Sequence, residues 1–161
     1  VAAHTIPQVP EQAVSSTRSG ATAADFEAAR DRLLRYDLYP RRVVASRVCA
    51  PGGVVVEGCT IAQWVRLGPL RYGCAVRVDE LREEDPEGTR TVRMSYRTLE
   101  GHPERGRISF MVAWDAATGR LEVRVTHVSR PALWWSRLGK LFAQRLQKRL
   151  NAGAARRLAG A

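Results

Sequence analysis

Between Ile108 and His127 the chain alternates in a way that few folds accommodate. Ile108, Phe110, Val112 and Trp114 take every second position, interleaved with Ser109, Met111 and Ala113. A tight connection at Asp115 to Gly119 follows, and then Leu121, Val123, Val125 and His127 interleave with Glu122, Arg124 and Thr126. Successive side chains of a strand point to opposite faces. The pattern is therefore a hairpin with one face buried. A sheet that is apolar on one side needs a second layer on that side, and the rest of the chain must supply it.

Ala23 to Tyr36 reads as a helix. Thr22 is placed to cap it, Asp25 stands in its first turn, and Phe26, Ala29, Leu33 and Tyr36 share one face. Tyr39-Pro40 ends it. From Arg41 the period becomes two. Val43 to Cys49 is a strand, Pro51-Gly52-Gly53 a turn, and Val54 to Val65 a second strand with Gly58 as a bulge. After a break at Arg66 to Leu70 comes a third strand, Tyr72 to Leu81, with Cys74, Val76 and Val78 on one face. Glu83 to Gly88 is an acidic turn, Arg90 to Thr98 a fourth strand grouping Val92, Met94 and Tyr96, and Glu100 to Gly106 a loop. Pro131 opens a long helix from about Ala132 to Leu150 or beyond, which Gly153 is expected to interrupt or end. Residues 1–22 are rich in Ala, Ser, Thr, Pro and Gln without a period and are expected to form a disordered or loosely docked lead. Residues 23–161 then make a single α+β domain: a curved antiparallel sheet of about six strands packed on a long C-terminal helix, with a short N-terminal helix.

Composition narrows the function classes. No apolar run approaches the ~18 residues that a membrane span requires. The first twenty residues have no basic stretch followed by an apolar core, so no secretory signal is expected. Cys49, Cys59 and Cys74 are odd in number and have no C-x-x-C spacing, and with His4, His102 and His127 they do not assemble zinc-binding spacing. Three buried thiols in a reducing, cytoplasmic setting are expected, with no metal and no cofactor. The net charge of +10 is local: from Ser129 onward there are eight basic residues and no acidic one, whereas the remaining 18 basic residues face 16 acidic ones. That last helix is a candidate surface for anionic lipid or an acidic protein. Nucleic-acid binding is disfavoured, because it calls for exposed aromatics on a sheet and the strand aromatics are expected to face inward.

The order of elements is similar to the helix-grip arrangement of the START and Bet v 1-like superfamily. From Leu67 to Arg149 the likeness is more specific. It rests on Tyr96-Arg97-Thr98-Leu99-Glu100-Gly101-His102-Pro103-Glu104-Arg105-Gly106-Arg107 followed by Phe110, on Ser129-Arg130-Pro131, and on Gln147 between Arg145 and Arg149. On these blocks the chain resembles the uncharacterised domain-of-unknown-function family nineteen-ninety. The resemblance extends more faintly back to about Ala21. It implies the fold and a site region, and no activity. Three positions depart from the family pattern: Arg97 stands for glycine, Glu100 for proline, and Arg107 for an acidic residue.

Several side chains are candidates for chemistry. His127 shares a strand face with Leu121, Val123 and Val125, where a histidine either bonds a ligand or is a satisfied core residue. His102 is held between Gly101 and Pro103 in a loop. Either is a candidate acid–base group, and no Gly-x-Ser-x-Gly elbow or phosphate loop competes with them. On a helical projection Trp135, Leu138, Leu141, Phe142 and Leu146 cluster, and Arg145 and Arg149 fall inside that arc. Buried guanidinium groups require a carboxylate, water or an anionic ligand, whereas snorkelling arginines reach solvent. The leading expectation is a binding module whose cavity holds a small apolar molecule with a polar or anionic end. Tyr96, His127, Arg145 and Arg149 would fix the polar end, Trp64, Phe110 and Trp135 would line the apolar part, and Arg130 is a further ligand-binding candidate. The alternatives are an enzyme using the same cavity and an interaction protein using the basic helix.

Overall fold

The computed structural model describes residues 10–131 and 140–160. Its strands are β1 (Gln12–Arg18), β2 (Val44–Cys49), β3 (Thr60–Leu67), β4 (Leu70–Glu84), β5 (Thr89–Thr98), β6 (Glu104–Asp115) and β7 (Arg120–Pro131). Among the described residues its α-helices are α1 (Ala23–Leu34) and α2 (Lys140–Ala159), with one 3-10 turn at Pro51–Gly53. The seven strands form one antiparallel sheet in the order β1-β7-β6-β5-β4-β3-β2. From β2 to β7 each strand pairs with its sequence neighbour, and β1 crosses to the far edge to pair with β7.

α1 begins as the sequence dictates. Thr22 and Asp25 form a capping box: the Asp25 carboxylate accepts from Thr22 N at 2.8 Å, and the Thr22 hydroxyl accepts from Asp25 N. Phe26, Ala29, Leu33 and Tyr36 are all buried. α1 is pinned to the sheet by Arg30 on Glu83 at 2.6 Å, by Arg90 on Glu27 at 2.6 Å with its guanidinium over the Phe26 ring, and by Trp114 Nε1 donating to Ala21 O at 3.0 Å. The far end of α2 is tied to the segment after α1, where Arg157 pairs with Asp37 at 2.8 Å.

The main 108–127 hairpin forms as its alternation requires, with Phe110 opposite Val125 and Val112 opposite Val123. Four details differ from expectation. Residues 12–18, placed in a disordered or loosely docked lead, form β1, because the free edge of β7 offers a ladder that a weakly patterned segment can join; residues 1–9 lie outside the described residues. β3 starts at Thr60 and not Val54, and Gly58, at φ 81°, makes a turn there rather than a bulge. The bulge is in β4, where the register slips between Val78 and Glu80. It sends both Asp79 and Glu80 to the outer face, where Arg97 and Arg107 meet them at 2.6 and 2.7 Å. Finally, α2 runs through Gly153 to Ala159 and stops at Gly160, whose φ of 75° supplies the left-handed cap.

The core lies between the concave face of the sheet and the two helices. Ile61, Val76, Val78, Val92, Met94, Phe110, Val112, Leu121, Val123 and Val125 come from the sheet, and Ala154, Ala155, Leu158 and Ala159 come from α2. Alanines at this contact let the helix approach β1 and β7 closely.

Candidate functional site

Polar side chains gather on the concave face, among them some that the sequence did not single out. Tyr36 and Tyr39 follow α1, Gln63 points inward from β3, Cys74 stands opposite it on β4, and Tyr96 comes from β5. Gln63 Nε2 donates to the Tyr36 hydroxyl at 2.6 Å, and Cys74 Sγ donates to Gln63 Oε1 at 3.8 Å. The Tyr96 hydroxyl interacts with those of Tyr36 and Tyr39 and with the Gln63 amide, and the Tyr39 hydroxyl with that of Tyr36. Their rings pack as well: Tyr36 lies 5.9 Å from Tyr96 and 6.2 Å from Tyr39, and Tyr96 lies 5.9 Å from Phe110. Burial pushes all three phenols well above their usual range and the Cys74 thiol up to about 11. At neutral pH the whole group is uncharged, and Cys74 is a thiol rather than a nucleophilic thiolate.

A second polar pair approaches from the other side. His127 shares a row with Ile108 and Tyr96 across β7, β6 and β5, which puts it about 10 Å from Tyr96 at ordinary strand spacing. It is buried, and its Nδ1 lies 3.1 Å from Asn151 Nδ2 of α2. An amide nitrogen can only donate, so Nδ1 accepts and the neutral ring carries its proton on Nε2. Burial lowers the His127 pKa from its ordinary value. One step along, the Ser129 hydroxyl donates to Gln147 Oε1 at 3.4 Å. Strand residues two apart thus face helix residues four apart, the spacing at which both repeats present one face.

The loop motif has a structural basis. A Cβ on Gly106 would lie 2.0 Å from Val128 O, so β6 and β7 meet there only through glycine. Thr98 Oγ1 bonds both the N–H of Gly106, at 2.9 Å, and its carbonyl. His102 Nδ1 accepts from Glu104 N at 3.0 Å, and the Tyr72 hydroxyl donates to Gly101 O.

The candidates divide accordingly. Tyr96, Phe110 and His127 are buried together on the concave face. Trp64, expected to line the cavity, stands on the convex face and is 44% exposed, because it is out of phase with Ile61 and Gln63. Arg130 is exposed beside Arg105, and His102 stays in its loop. Arg145 and Arg149, expected to look inward, are exposed: from Gln147 onward the helix buries Asn151, Ala154, Ala155 and Leu158, and Arg149 lies on the far side from Asn151. Of the three thiols expected to be buried, Cys49 is exposed, at the end of the edge strand β2. Trp135 lies outside the described residues. Sequence reasoning missed Tyr36, Tyr39, Gln63, Cys74 and Asn151. The usable signal was Gln63, a polar residue in phase with Ile61 and Val65.

A family model described as "Domain of unknown function (DUF1990)" matches residues 1–157. No curated protein matches the chain. Among solved structures, the chain is similar to a Thermus thermophilus protein at TM-score 0.63 and 12% identity, covering 94% of this chain and 95% of that one. It is similar to the Zhui aromatase/cyclase from Streptomyces sp. R1128 at TM-score 0.59 and 18% identity, covering 94% and 93%. It is also similar to a point mutant of Thalictrum flavum norcoclaurine synthase, in complex with a transition-state analogue, at TM-score 0.52 and 14% identity, covering 94% and 97%. These likenesses establish the Bet v 1-like helix-grip fold.

Proposed function

Because the chain belongs to the domain-of-unknown-function family DUF1990 and has the helix-grip fold, we propose that it is a small-molecule-binding module with its ligand against the concave face of the sheet. The observation that carries this reading is the convergence of Tyr36, Tyr39, Gln63, Cys74 and Tyr96 with His127 and Asn151 on that face. Burying polar groups is unfavourable unless each is bonded, and apolar residues would make a simpler core. A few convergent polar groups in an apolar wall are what a small-molecule site needs. Phe110, Met94, Val78 and Ile108 supply the wall. The synthase relative, bound to a transition-state analogue, supports the same use of the fold.

The uncharged state of the network sets the ligand class: a mostly apolar molecule ending in a neutral hydroxyl or carbonyl. With Arg145 and Arg149 exposed, the case for an anionic end loses its two cations. Native mass spectrometry of protein purified from cells tests for a co-purifying molecule, and 2-naphthol serves as a direct probe. Tyr36→Phe and Tyr96→Phe are expected to weaken 2-naphthol binding several-fold, and Arg145→Ala with Arg149→Ala to leave it unchanged. Empty spectra together with naphthol binding indifferent to both tyrosines would overturn the reading.

One observation favours a second reading, acid–base catalysis in the same place. Burial keeps the His127 imidazole unprotonated at neutral pH; with Nδ1 held by Asn151 and the proton on Nε2, the ring acts as a base only when Asn151 yields Nδ1 to the substrate. His127→Gln would then abolish turnover of a bound substrate while binding persists; equal loss of both would leave His127 a binding residue.

A further inference from the structure

The convex face has a region with the opposite character. Trp64 of β3 lies among Arg41, Arg42, Arg66 and Arg71, which with Val43 and Ala45 line a shallow recess of about 90 Å³. Arg47 and Arg77 continue the basic stripe on the same face, opposite Ala62 and Thr60 of β3. All six arginines are exposed, and among the described residues no carboxylate pairs with any of them. The neighbouring stretch of the same face is charge-matched: Arg97 and Arg107 are both bound to Asp79, and Arg107 and Arg82 to Glu80. Four guanidinium groups line the recess beside one exposed indole and two more continue along the face; of these, Arg66 donates through Nε to Gly68 O at 3.2 Å, and none meets a carboxylate among the described residues.

The indole has a defined attitude. A Cβ on Gly73 would meet Trp64 Cδ1 at 3.6 Å and Nε1 at 3.7 Å. The edge of the indole therefore lies beside the bare glycine of the neighbouring strand, and the side chain remains 44% exposed. An exposed ring on a sheet flanked by arginines can stack a planar base while the arginines neutralise phosphates. A bilayer anchor needs a continuous apolar face beside its charges. Here the large exposed apolar side chains among the described residues are Val56 and Trp64, and Val56 does not line the recess.

We propose that this face binds single-stranded nucleic acid, with a base stacked on Trp64 and the backbone held by Arg41, Arg42, Arg66 and Arg71. The contacts are sequence-tolerant, since every base has a π-face and the recess offers guanidinium groups to phosphates. This site is separate from the concave one, and either can fail without the other.

The test is fluorescence anisotropy of a labelled 12-nucleotide oligo-dT with the full chain, over a salt series. Trp64→Ala is expected to weaken binding roughly tenfold, and Arg66→Ala and Arg71→Ala to reduce the slope of log K against log salt by about 0.7 each. Circular dichroism and urea unfolding of each variant show that the fold is intact. A 12-base-pair duplex and a polyphosphate of equal charge should bind more weakly than oligo-dT and show no dependence on Trp64. Equal binding of polyphosphate with no effect of Trp64→Ala would reduce the patch to a general anion surface and overturn the proposal. So would Trp64-dependent sedimentation with phosphatidylserine vesicles in the absence of oligo-dT binding, which would assign the face to a membrane.

Discussion

Gln63 and Trp64 are neighbours in β3 and end on opposite sides of the sheet. Gln63 is 6% exposed and holds the Tyr36 hydroxyl; Trp64 is 44% exposed and lies among arginines. Each breaks the usual burial preference, one inward and one outward. Phase explains where they go, because Ile61 must be buried and strand side chains alternate. It does not explain why an amide was placed in the core and an indole on the surface. Local rules broken in this way tend to mark function, so one strand carries a part of each proposed site.

The sharpest way to test this division is to remove one aromatic from each side. Phe110 is fully buried against Tyr96. Phe110→Ala should destabilise the fold by about 3–5 kcal/mol, read from urea unfolding. A loss below about 1 kcal/mol would mean that the concave side is not close-packed around Phe110.

A smaller change sits on the polar network. Tyr36→Phe keeps the ring and removes the acceptor of Gln63 Nε2. A buried donor left unpaired costs about 1–3 kcal/mol, and the companion Gln63→Leu, which removes the other partner, should restore part of that loss in a double-mutant cycle. Additive losses would show that the two groups are not coupled.

His127 gives a slope rather than a step. Its unfolded imidazole titrates near 6.5, and burial lowers the native value. Between the two values the unfolded chain binds more protons, so the contribution of His127 is fully present above about pH 6.5 and is lost as pH falls through the native pKa. Urea midpoints measured from pH 7.5 to 5 should decline, and His127→Gln should flatten that decline. An unchanged slope in the variant would place the titrating group elsewhere.

What the sequence made legible follows the strength of its periodicity. The 108–127 hairpin, the Thr22 cap and the buried face of α1 were readable because each has a pattern with one physical solution. β1 was not, because Gln12–Arg18 is too polar to declare a face and its structure comes from the open edge of β7. The orientation of α2 misled for a related reason. The projected stripe was drawn from residues 135–149, whereas among the described residues the buried face is Asn151, Ala154, Ala155, Leu158 and Ala159, most of it beyond the Gly153 at which the helix was expected to be interrupted or to end. The tyrosine network was half legible: Tyr96 and Cys74 were assigned to inward registers, but their meeting with Tyr36 and Gln63 depends on tertiary packing that spacing along the chain does not encode.

The smallest expected effect is also the one that separates the two faces most cleanly. Trp64→Ala removes a larger side chain than Phe110→Ala, and on apolar area alone it should cost as much. Exposure reverses that expectation: an indole beside a glycine and 44% exposed loses little packing, so stability should change by no more than about 0.5 kcal/mol. Urea unfolding of Trp64→Ala beside Phe110→Ala reads the difference directly. A loss approaching that of Phe110 would mean that Trp64 serves as a structural lid over β2 to β4. A near-neutral result leaves the exposed ring unexplained by folding and available for a partner.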